Sequence, residues 1–166
     1  MYGITNIVIQ TFVNSFDTTT VAAWAVLGKV DVIFWAVNGA FGIAVTTFCG
    51  QNYGAGKLER VYKSVRSSLL MALLVGGTLL GTLAILAEPI FGLFTTDIQV
   101  VEIGVYMLLY MIPSYVVYIF VEIFTGALRG VGDVMIPTII TLSGAGLVRL
   151  PWLLIMVPIR QELSTV

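Results

Sequence analysis

The chain has 166 residues, of which 58% are hydrophobic and 10% charged, against roughly 25% charged in an ordinary soluble domain. Mean hydropathy is +1.02, and so much apolar surface on so short a chain has a bilayer as its natural solvent, so the fold class to expect is an all-α polytopic membrane helix bundle. Net charge is −1, histidine is absent and Cys49 is the single cysteine. That excludes zinc sites, cysteine–histidine nucleophile pairs and disulfide frameworks within one chain, and the lack of a long basic run excludes nucleic acid as a partner.

A helix needs roughly 17 to 25 residues to cross a hydrocarbon core of about 30 Å. The first apolar run, from about Met1 to Phe16, is short. It has neither a basic leader nor a small-residue cleavage site, so it reads as a helix whose beginning is missing rather than a signal peptide. Complete runs follow at Val21 to Cys49, Val65 to Ala87, Val100 to Gly126 and Val134 to Val157. "NSFDTTT" (Asn14 to Thr20) supplies turn and cap residues, Glu88-Pro89 is expected to stop the third run, and "RGVGD" (Arg129 to Asp133) separates the fourth from the fifth.

Short connections make neighbouring helices antiparallel, and the basic residues orient them. Lys57, Arg60, Lys63 and Arg66 follow the second run and Arg129 the fourth, whereas the Glu88 to Glu102 segment holds Glu88, Asp97 and Glu102 with no basic residue. The positive-inside rule puts the first two on the cytoplasmic side.

"CGQNYGAGKLER" (Cys49 to Arg60) has the outline of a phosphate loop, but Gln51 stands where a Walker motif needs its first glycine and Leu58 where it needs a hydroxyl. A dinucleotide pattern fails at Glu59, where the third glycine belongs. The stretch reads instead as a cytoplasmic reversal, its glycines allowing a sharp turn and its basic residues meeting anionic headgroups.

An ionisable side chain at the bilayer centre costs about 2.5 to 3.5 kcal/mol on insertion scales, so each one raises a functional question. Four lie well inside the runs, away from their ends: Lys29, Asp31, Glu122 and Arg149. Lys29 and Asp31 are two positions apart, on nearly opposite sides of a helix, and so are not a local pair; Lys29 and Arg149 read as snorkelling side chains. Asp31, Trp35, Asn38 and Gly42 share one face, and Asn6, Gln10, Asn14 and Asp17 another. The fourth run carries Tyr106, Tyr110, Ser114, Tyr118, Glu122, Thr125 and Arg129 at steps of three or four. Such stripes also serve as interhelical hydrogen-bond glue, and terminal tyrosines as interface anchors. Asp31 and Glu122 stand apart because buried carboxylates need a partner, a proton or an ion. Counted along the helices, Asp31 lies outside the midplane and Glu122 nearer the cytoplasmic end, so the two need not meet.

"VNSFDTTTVAAWAVLGKVDVI", "GQNYGAGKLERVYKSVR" and "GALRGVGDVMIP" occur in the order and spacing of the multidrug and toxic compound extrusion (MATE) transporters, which the chain resembles over nearly its whole length. The resemblance implies a twelve-helix, two-lobed transporter that exports organic cations in exchange for protons or sodium, with no other cofactor. In it, Gln51, Asn52, Gly54, Gly56, Lys57 and Arg60 form the cytoplasmic motif after the second helix of a half. Residues 1–166 then resemble part of the C-terminal lobe, a trimmed helix seven to helix eleven, since "SGAGLVRLPWLLIMVP" favours that half, and the N-terminal lobe is the missing partner. Tyr118 stands where some members carry a carboxylate, with Glu122 one turn later, and Tyr2 where those members have a glutamate. The resemblance points to a multi-pass protein of the plasma (inner) membrane and not to an enzyme.

The expected binding residues for substrate or ion are thus Asp31, Glu122, Tyr118, Asn38, Trp35, Gln10 and Asn14. Two other readings remain open: a lipid-linked sugar flippase of related architecture, for which a more cationic cavity is expected, and a truncated membrane fragment that transports nothing.

Overall fold

The computed structural model describes residues 17–142, and among them the chain is helical with no strand. The helices are α1 (Thr18–Gly54), α2 (Leu58–Ile85), α3 (Ala87–Gly92), α4 (Ile98–Gly130) and α5 (Met135–Leu142). Helices α1, α2 and α4 are each long and apolar enough to cross a membrane, and they coincide with the second, third and fourth apolar runs. The first run, with Asn6, Gln10 and Asn14, lies outside the described residues; the fifth enters them only through α5, and Arg149 lies outside. At 1.5 Å per residue the 37 residues of α1 span about 55 Å, more than the hydrocarbon core needs, so its ends extend into the headgroup region.

Aspartates start α1, α4 and α5. Asp17 accepts a hydrogen bond from the Thr20 N–H at 3.2 Å, Asp97 from Gln99 at 3.0 Å and Asp133 from Ile136 at 3.1 Å, each satisfying an amide that the first turn leaves unpaired. Two G-x-G pairs end α1 and α4 in the same way. After α1, Gly56 has φ +70°; its N–H donates to the Tyr53 carbonyl and that of Lys57 to Asn52, both at 2.9 Å. After α4, Gly132 has φ +93°; its N–H donates to Arg129 at 3.1 Å and that of Asp133 to Leu128 at 2.9 Å. Both are Schellman caps, which need a residue in the left-handed region. The apparent phosphate loop is therefore a helix terminator.

Three boundaries differ from the sequence expectation. Gln51 and Asn52 are still helical, so the reversal is confined to Ala55–Lys57. Lys63, Arg66 and Arg129 sit on helices rather than in loops, where long basic side chains can still reach the headgroups. Glu88 and Pro89 lie inside α3: α2 ends at Ile85 and the chain turns and restarts, with Pro89 in a first turn where its missing N–H costs nothing.

Helices α1 and α4 run parallel and side by side. Asp31 meets Tyr115, Trp35 meets Tyr118, Gly42 meets Glu122 and Gly50 meets Gly130, in the same order along both helices. Glycines set the spacing toward the C-terminal ends of α1 and α4. A Cβ at Gly126 would strike Val45 and the Gly42 carbonyl, and one at Gly130 would strike the Thr46 carbonyl and Cys49. The Thr46 hydroxyl bridges the seam, within 2.8 Å of the Gly42 carbonyl and 2.9 Å of the Gly126 carbonyl, as close-packed membrane helices allow.

Helix α2 packs antiparallel across both, and the shared core holds Phe34, Val45, Leu80, Leu108, Ile119 and Ile123. At the opposite end, near the start of α4, α3 inserts Phe91, fully buried, against Gly104. The opposite faces are apolar and open, with Ile43, Leu74 and Val117 largely exposed. On these faces the hydroxyls of Thr47, Thr78 and Thr82 donate to carbonyls four residues back, which satisfies them without water.

Candidate functional site

Asp31 lies on α1 one turn before Trp35, half-buried against α4. The Tyr115 hydroxyl, on a side chain only 3% exposed, donates to Asp31 Oδ1 at 2.5 Å, tying α1 to α4. Tyr115 is itself held: its ring lies 4.6 Å from that of Phe34 at 30°, and its hydroxyl also approaches Met111 Sδ at 3.6 Å. One turn further along both helices, Trp35 and Tyr118 meet edge to face at 4.6 Å and 82°. The result is a carboxylate fixed by a buried phenol, beside an aromatic pair whose Trp35 member is 42% exposed. Carboxylate and ring faces together suit an organic cation, by charge and by the negative faces of the rings.

Glu122 forms a separate station. A Cβ at Gly42 would fall on its Cγ, Cδ and Oε1, so the glutamate lies across the bare backbone of α1. Gly42 is eleven positions beyond Asp31, about 16 Å along the helix. The two carboxylates do not meet, in keeping with their depths counted from sequence.

Asn38 is not part of either station; it is buried between α1, α2 and α4. The face expected to run from Asp31 to Gly42 is thus divided between an open site, a closed core and a helix seam. Lys29 points elsewhere, its Nζ 5.5 Å from the ring of Phe94 in the segment between α3 and α4. Of the cytoplasmic motif, Asn52 donates to the Phe48 carbonyl at 2.8 Å, while Gln51, Gly54, Gly56, Lys57 and Arg60 are exposed. The residue that sequence reasoning missed is Tyr115. Its signal was a phenol in the middle of an apolar run, which needs a buried partner for its hydroxyl.

The family model described as MatE matches residues 1–155. The chain belongs to the MatE family. Similar MatE relatives include the probable multidrug resistance protein YoeA of Bacillus subtilis, 25% identical over 91% of this chain and 33% of its own length. The probable multidrug resistance protein NorM of Thermotoga maritima is 33% identical over 71% of this chain and 26% of its own. The FAD transporter of Shewanella oneidensis is 30% identical over 88% of this chain and 32% of its own. The chain therefore spans between about a quarter and a third of the length of these relatives, two of which are probable multidrug resistance proteins by name and one a transporter.

Proposed function

We propose that this MatE chain is part of the C-terminal lobe of a secondary antiporter of the plasma membrane, which exports organic cations in exchange for protons or sodium. The observation that carries the reading is the Asp31 cluster. Tyr115 holds the carboxylate in one orientation, and Trp35 and Tyr118 offer aromatic surface one turn away. A cation entering there gains an opposite charge and ring faces. A proton on Asp31 removes the charge and releases the cation, so one group serves both ligands in turn. Glu122, on its own station at Gly42, is a second place for a proton or sodium. Alternating access by a rocking of two lobes would then carry the site from one side to the other.

The test is efflux of tetraphenylphosphonium from proteoliposomes under an imposed proton or sodium gradient. Asp31→Asn is expected to lower efflux by at least tenfold and Lys29→Gln to leave it unchanged. Full efflux by Asp31→Asn would remove the carboxylate from the mechanism.

The relative that is an FAD transporter favours a second reading, a substrate bearing phosphate. Asp31 and Glu122 along the α1–α4 seam would repel it, and Lys29 lies on the other side of its helix, over Phe94. FAD transport measured in the same proteoliposomes separates the two.

A further inference from the structure

Asn38 is only 4% exposed, yet neither its Nδ2 nor its Oδ1 has a hydrogen-bond partner among the described residues. It borders a narrow gap between α1, α2 and α4, lined also by Phe34, Val37, Phe41, Ala72, Gly76 and Ile119, with no room for a water molecule. An amide among hydrocarbon walls forfeits the bonds it would make with water, and packed interiors seldom keep such a group. Across the gap a Cβ at Gly76 would strike the tip of the Ile119 side chain, so at this level α2 meets α4 through bare backbone and a single flexible side-chain end.

We propose that Asn38 is a polar latch between two packings of α1, α2 and α4. In the closed packing it is dry and unpaired; in the other the gap widens and water reaches the amide. The lost hydrogen bonds disfavour the closed packing and bring the two close in population, as a bundle that must change shape requires. Nothing in this depends on which substrate is carried.

The test is thiol accessibility in the native protein with its own cysteines replaced, Cys49 included. A cysteine placed at Val37, on the gap wall, is modified by a small water-soluble methanethiosulfonate with no substrate present. Asn38→Leu, which removes the amide at similar volume, is expected to slow modification by about tenfold or more, the weight of an unsatisfied buried amide. Asn38→Val gives the same readout should the leucine variant fail to fold. An unchanged or faster rate in the variant that folds would overturn the latch. Because no transport is measured, failure here is distinguishable from failure of the antiporter reading.

Discussion

Tyr115 and Asp31 are 84 positions apart in sequence, and the bond between them defines the site at the scale of single residues. Tyr115→Phe keeps the ring packing on Phe34 and removes one hydrogen bond to a half-buried carboxyl, worth about 0.5 to 1.5 kcal/mol. We expect cation affinity to fall by up to about tenfold, with little change in folding, in a fluorescent-cation binding titration. Asp31 and Trp35 were legible beforehand because a carboxylate in an apolar run is costly and therefore conspicuous. Tyr115 was not, since it sits one position off the stripe formed by Ser114 and Tyr118. Asp17 gives a pH prediction. The Thr20 hydroxyl and N–H hold its carboxyl below the usual carboxylate range. A depressed native value means that the cap contributes fully above the unfolded pKa of about 3.9 and is lost as pH falls through the lower native value. Hydrogen exchange should show the Thr20 and Val21 amides losing protection below about pH 4, and Asp17→Asn should abolish that pH dependence.

At the scale of elements, the glycines of α1 and α4 have unequal tasks. Gly130→Ala drives a methyl group into the Thr46 carbonyl and Cys49, backbone and a buried side chain that cannot swing away. We expect a loss of about 1 to 3 kcal/mol, typical of overpacking, read as a lower melting temperature in detergent. Gly56→Ala meets no neighbour but must hold φ +70°, a strain of about 1 to 2 kcal/mol. Gly54→Ala has open space and an ordinary helical backbone, so it should be silent in the same assay. The sequence marked these glycines as turn residues. That Gly56 and Gly132 build the same cap, while Gly130 is a packing contact, depends on the parallel approach of α1 and α4.

For the whole molecule, Lys57, Arg60, Lys63, Arg66 and Arg129 gather at the end where α1 and α4 stop together, and Glu88, Asp97 and Glu102 lie at the other. A cysteine at Lys57 should react with a membrane-impermeant reagent only from the cytoplasmic side, and one at Asp97 only from outside. The reverse pattern would invert the assigned topology. The medium, the three spans, their ends and the sorting of charge between the two ends are properties of the sequence by itself. Hydropathy, capping and chain reversal act over a few neighbouring residues, and each leaves a local mark. Only the tertiary structure decided that Asp31 finds a phenol, that Glu122 rests on Gly42 and that Asn38 is buried with no hydrogen-bond partner among the described residues. Those outcomes depend on how far each helix is rotated and how closely two backbones approach, and glycines that bring α1 against α4 set both at a distance from the residues they place.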